Sequence, residues 1–389
     1  THINSPRGNG DYTIDEPPHY PFTFSDDPFL QWVNLQLVKA KPEFHKKSFL
    51  KPLHQTDLFC GTCHKVHLPE ELNHYKWLRG QDHQDTFRLS GVSGHGIGSF
   101  YYPPIAQVNC NDCHMPLMPS ADFGAMVRDD SGINTVHDHM FPSANTAMPR
   151  LVEMPDSDRA VEKHQEFLEG VMRVDLFGLK QGGTIGGDLV APLGGDIIPE
   201  LVPGEEYILE AVIRTVKMGH VFTQGTSDSN QVWMELEVSC GDEVVGVSGA
   251  MDADGVVDPW SHFVNSFVID RDGNRISRRN AQDIFTALYD HQIPPGAADV
   301  VHYRFRVPDD CDQPIHIAAV LKYRKFDTTL MRFVKADADW VNDLPVTVLA
   351  EDDISLPVVG GVSVENADET VPPWMRWNDY GIALFRKSG

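Results

Sequence analysis

Two stretches of this chain, LFCGTCHKVHLP at 58–69 and NCNDCHMPLMPS at 109–120, each carry two cysteines three apart with a histidine directly after. A C-x-x-C pair alone suits zinc or thiol exchange, whereas C-x-x-C-H reads as a covalent haem attachment motif. The two thiols add across the vinyl groups of the macrocycle, and the next residue sets an imidazole under the iron. The competing reading is a four-cysteine zinc site, with 46 residues between Cys63 and Cys110. Zinc held by four thiolates has no need of His64 or His114. With 18 His among 389 residues, chance puts a histidine after one pair about 5% of the time and after both roughly 0.2%. The motifs therefore predict two haem c groups, bound through Cys60, Cys63, Cys110 and Cys113, with His64 and His114 as proximal iron ligands. Haem c is attached on the outer side of an energy-conserving membrane, which predicts a periplasmic or extracellular protein.

Charge and hydropathy narrow the partners. The formal charge is −24, which argues against nucleic acid and anionic lipid and suits a basic redox partner protein. No apolar run reaches the 18 residues that a membrane span requires. The sequence starts at Thr1 without a Met or an apolar leader, the pattern expected of a processed or trimmed product.

The pattern of residues changes along the chain, and the fold class expected is α+β. Residues 1–155 are rich in His, Pro and Gly, with little periodicity; short helices are expected at 28–40 and 70–79. Such a stretch has too few aliphatic side chains for a core, and haems would supply the missing apolar surface. Residues 156–360 open with a helix expected at 156–170 and then alternate apolar and polar residues, as in YILEAVIRTV, VWMELEVSC, NSFVID, VVHYRFRVP and IHIAAVLKYRKF. That predicts an antiparallel, immunoglobulin-like β-sandwich, with RDGNR at 271–275 as a hairpin turn. Cys240 and Cys311 flank strands and could pair in an oxidising compartment. The acidic loops DADG and DRDGN read as ordinary turns before they read as calcium loops. Residues 361–389 return to helical spacing, either as a helix laid on the sandwich or as the first helix of a repeat array.

Several histidines are candidates for the remaining axial positions. His139 lies in HDHMFPSAN, where Pro142 stiffens the backbone; His137 is its rival, since alternate residues of an extended stretch face the same way. His54 and His45 precede the first motif too closely to cap that haem and would serve a neighbouring one. His95 stands between Gly94 and Gly96, which permit close approach of the backbone to a macrocycle.

FCGTCHKVHLP, SGVSGHGIGSFYYPP, CNDCHMP and HDHMFPSANTAMP together resemble the haem-bearing part of large multihaem c-type cytochromes. MGHVFTQGTSDSNQVWMELEVS is similar to the β-rich module that follows the haems in such proteins, and WMRWNDYGIALF resembles the entry to a tetratricopeptide array. The resemblance implies that His220, in a Gly-His-x-Phe turn, is a further haem ligand, although Thr223 stands where the family has proline. Family members usually carry more than two motifs. The chain would then be an internal piece, or a reduced member whose haem-bearing neighbours, in a complex, homo-oligomer or filament, extend the path. The function implied is electron transfer through bis-His haems. The alternative is a catalytic multihaem oxidoreductase acting on a small nitrogen or sulfur compound, which needs one open axial position.

Overall fold

The alternating segments of the second half form strands, and their register explains why each alternates. In the computed structural model, residues 2–49, 51–74, 78–96, 99, 105–122, 124–224, 229–367 and 370–387 are described. The chain divides into two units, Thr1–Pro142 and Ser143–Gly389.

In the second unit, the strands Ala298–Arg306, Glu206–Thr215, Met172–Gln181 and Leu189–Val190 lie side by side in that order, all antiparallel. A second antiparallel sheet runs Glu243–Ser248, Gln231–Cys240, Ile315–Arg324, Val346–Leu356, with the short strand His262–Phe263 also paired to Gln231–Cys240. The inward residues of both sheets meet in one apolar core. Leu176, Leu209 and Ile213 come from the first sheet and Met234, Ile317 and Leu321 from the second, and each is at most 1% exposed. Period-two alternation arises because successive side chains of a strand point to opposite faces. Cys240 and Cys311 are disulfide-bonded, with Cα atoms 6.1 Å apart.

The helices follow their local signals. Ser157–Leu168 matches the helix expected at 156–170. The final helix, Pro373–Lys387, buries Tyr380 and Ala383 against Phe177, Val212, Ala298 and Val300 of the first sheet. Tyr380 stacks on Phe177 with ring centroids 4.4 Å apart, and Trp377 meets the same ring edge-on at 4.9 Å. One expectation is corrected and one agrees. RDGNR makes a tight turn closed by a single bridge between Ile269 and Arg275; the adjacent strand Ser266–Ile269 pairs instead with Thr286–Asp290. Both acidic loops bond to themselves: Asp252 accepts from the amides of Asp254 and Val256, and Asp270 from those of Asp272 and Asn274.

The first unit is built of short pieces. Pro28–Ala40 is helical, started by the Asp27 carboxylate, which accepts from the amides of Phe29 and Leu30. The helix expected at 70–79 stops at Asn73, because His74 turns into the left-handed region (φ 67°) and bonds back to Glu70. Leu78–Asp82 becomes a strand paired with Lys65–Leu68. Among the described residues of this unit, the buried apolar side chains are Tyr20, Phe87 and Val92, against seven buried polar ones that include Asp57, Thr62, Gln84 and Ser93. No described helix of the chain is long and apolar enough to cross a membrane.

Candidate haem-attachment site

Both cysteine motifs wind the same turn. The amide of His64 donates to the carbonyl of Cys60 at 2.8 Å, and that of His114 to the carbonyl of Cys110 at 3.0 Å. Each motif is thus one i to i+4 helical turn, and residues three and four apart on a turn share a face. Two thiols and one imidazole are thereby set on one side of each turn.

The two turns are neighbours within the first unit. The Cys60 thiol lies 4.0 Å from Oδ1 of Asn111, and the Asn111 amide donates to the carbonyl of His54 at 3.1 Å. A hydrogen bond between the Cys60 and Cys110 thiols lowers the pKa of Cys60 and raises that of Cys110, with burial adding to the rise at Cys110. Burial also raises the pKa of Cys113. The four cysteines are free, and their sulfurs do not gather into one cluster of the kind a zinc ion needs.

The imidazoles are oriented through their Nδ1 atoms. Nδ1 of His114 lies 2.8 Å from the carbonyl of Pro142. A carbonyl can only accept, so the ring donates from Nδ1 and keeps its Nε2 lone pair for a metal. His137 makes the same bond to Met115 at 2.7 Å, and His139 to His137 at 2.9 Å. Burial lowers the pKa of His114; burial, and then the neighbouring His114, lower that of His64. Both rings are held neutral, the state in which imidazole ligates.

His64 has a setting that sequence reasoning missed. The register Lys65 to Asp82 brings Gln81 and His83 beside it. The Gln81 side-chain nitrogen lies 3.1 Å from Nδ1 of His64 and 3.0 Å from Nδ1 of His83. The rings of His64 and His83 meet edge-on with centroids 5.4 Å apart. Nothing in GQDHQD marks His83 above the other histidines; only the strand pairing does.

The other candidates are scattered. His54 sits in a short 3-10 turn with its ring 4.7 Å from that of Phe59. His95 lies two residues after Ser93, whose hydroxyl accepts from its amide. His45 belongs to the helix Pro42–Phe49, but its side chain lies outside the described residues. His139 is exposed. His220 belongs to the second unit, where its Nδ1 lies 3.0 Å from the carbonyl of Val221.

A macrocycle suits the surroundings. Leu58, Phe59, Val108, Met140 and Phe141, next to the motifs or to His139, are 37–58% exposed, an apolar surface that covering would stabilise at about 25 cal/mol per Å². The donor set, four free thiols and two oriented imidazoles, matches two haem c groups.

No protein-family model matches the chain, and no curated protein matches it. Among solved structures it is similar to a penta-heme cytochrome c552 from Thermochromatium tepidum, at 15% identity and a TM-score of 0.48, over 89% of this chain and 70% of that one.

Proposed function

We propose that this chain is a periplasmic or extracellular electron-transfer cytochrome with two haem c groups. Cys60 and Cys63 hold one, Cys110 and Cys113 the other, and His64 and His114 are the proximal ligands. The observation that carries this reading is the pair of identical C-x-x-C-H turns, side by side in a unit that buries more polar than apolar side chains. Bound haem supplies a one-electron couple, and bis-His ligation lets the iron change oxidation state with little ligand movement. The chain's own contribution is to fix the rings and exclude water. The Pro142 carbonyl holds the His114 ring, Gln81 sits against His64, and the apolar residues named above shield the haem faces. His139 is the distal ligand we favour, with His137 as rival, since the bonds at both Nδ1 atoms leave Nε2 free.

Two antiparallel sheets that share one apolar core, with the chain crossing from the first sheet to the second, back for Ala298–Arg306 and then to the second again, support an immunoglobulin-like second unit. The disulfide supports an oxidising compartment. Carbon monoxide added to the reduced protein tests the electron-transfer reading: six-coordinate haems leave the Soret band unshifted. Stoichiometric binding at one iron would instead mark an open axial position and a catalytic protein.

A further inference from the structure

In the second unit, far along the sequence from both motifs, His262, His291 and Asp299 converge. Their ligand atoms all lie within 4.8 Å of one another, the one such cluster among the described residues. Nε2 of His262 is 3.3 Å and Nδ1 of His291 is 4.0 Å from Oδ2 of Asp299. We propose that these three side chains bind a divalent first-row transition cation such as zinc.

Hydrogen bonding does not account for the cluster. Nε2 of His262, Nδ1 of His291 and Oδ1 of Asp299 are all buried, and none has a hydrogen-bond partner. Asp299 is 1% exposed. Buried polar atoms without a well-formed hydrogen bond are costly; the ion pairs of Asp299 with His262 and Lys387 meet that cost only in part, and one cation would satisfy the three side chains together. Two imidazoles and a carboxylate form a donor set that suits zinc and its neighbours in the first transition row. Metal–ligand bonds of about 2.0–2.2 Å place tetrahedral donors about 3.3 Å apart, so the His262–Asp299 pair, at 3.3 Å, already has the spacing, and Nδ1 of His291, at 4.0 Å from the same carboxylate oxygen, must draw in.

The fold holds the ligands in place. His262 sits on the strand His262–Phe263, its residue paired with Met234. Asp299 faces Ile213 in the first sheet. His291 donates its amide to the carbonyl of Asn265 at 2.9 Å, and its ring stacks on Tyr289 at 3.9 Å with a 13° tilt. The Tyr289 hydroxyl donates to the carbonyl of Phe263, so one residue braces two ligands.

Two cations adjoin the site: Nζ of Lys387 is 3.5 Å from Oδ1 of Asp299, and Nη1 of Arg386 is 3.7 Å from Oδ2. Lys387, at the end of the last helix and more than a third exposed, can swing out as a metal enters, so it competes with the metal and does not fill the site.

Zinc titration of the haem-loaded full chain, previously stripped with chelator, tests this by calorimetry and by the zinc-to-iron ratio after dialysis. One zinc per chain is expected. His291→Ala removes a partly exposed ring and should weaken that binding at least tenfold with the Soret spectrum and far-UV dichroism unchanged. Lys387→Ala removes the competitor and should tighten it severalfold. Absence of zinc binding by the wild type overturns the site, as does an affinity that neither substitution changes.

Discussion

Asp57 shows how one side chain can brace the first cysteine motif from a distance. It opens the short helix Asp57–Gly61 that carries Cys60, and its carboxylate accepts from Gln84 at 2.9 Å and from Nη2 of Arg88 at 3.1 Å. Burial pushes its pKa up, but the bonds to Arg88 and Gln84 outweigh that and hold it below the ordinary value. A depressed folded-state pKa means that the stabilisation is complete above the unfolded value of about 3.9 and is lost as pH falls through the folded value. Asp57→Asn should therefore cost about 1–3 kcal/mol at pH 7 and much less at pH 3, read from thermal melts followed in the Soret band. An equal loss at both pH values would show that the charge is not what matters. The distal ligand is also decided at this scale. His139→Ala should turn one haem high-spin, whereas His137→Ala should not; the opposite pattern would transfer the role to His137. The two cysteine motifs were legible because each is a single turn of consecutive residues. Gln81 and His83 were not, since they reach His64 only through pairing of Lys65–Leu68 with Leu78–Asp82.

At the scale of elements, alternation revealed the long strands, and the helix expected at 28–40 forms over those residues. The helix expected at 70–79 was misread because helical propensity there gives way to strand pairing once His74 breaks the turn. The cluster of His262, His291 and Asp299 was invisible for a similar reason: no spacing rule links three residues brought together by different strands. The last helix is tied down by charge as well as by aromatic rings. Arg376, 3% exposed, donates from Nε to both Asp175 oxygens at 3.1 Å and from Nη2 to one of them at 2.6 Å, and Asp379 of the same helix pairs with Arg214 at 3.0 Å. Arg376→Met leaves Asp175 buried and uncompensated, and should cost about 3–5 kcal/mol in denaturant unfolding. Proteases should then cut first within Pro373–Lys387. Unchanged stability would mean that the rings alone hold the helix. Its outer face leaves Trp374 and Phe385 68% and 82% exposed.

At the scale of the whole molecule, the two units are stabilised by different means. The second has a large aliphatic core and a disulfide between residues 71 apart in sequence; loop closure of that length is worth about 4 kcal/mol. A Cys240→Ser, Cys311→Ser variant should lose stability of that order in urea unfolding of the β-rich signal, and a variant as stable as the wild type would remove the disulfide from the account. The first unit buries few apolar side chains, and under the proposed function its stability rests on the groups that the four thiols would hold. The measurement that tests this most directly is a pyridine haemochrome assay, combined with the mass of the intact chain after acid–acetone treatment. Two haems per chain, retained through the extraction as covalent adducts, are the predicted result. Pigment released into the acetone, or a chain whose four cysteines carry zinc and no iron, would contradict it.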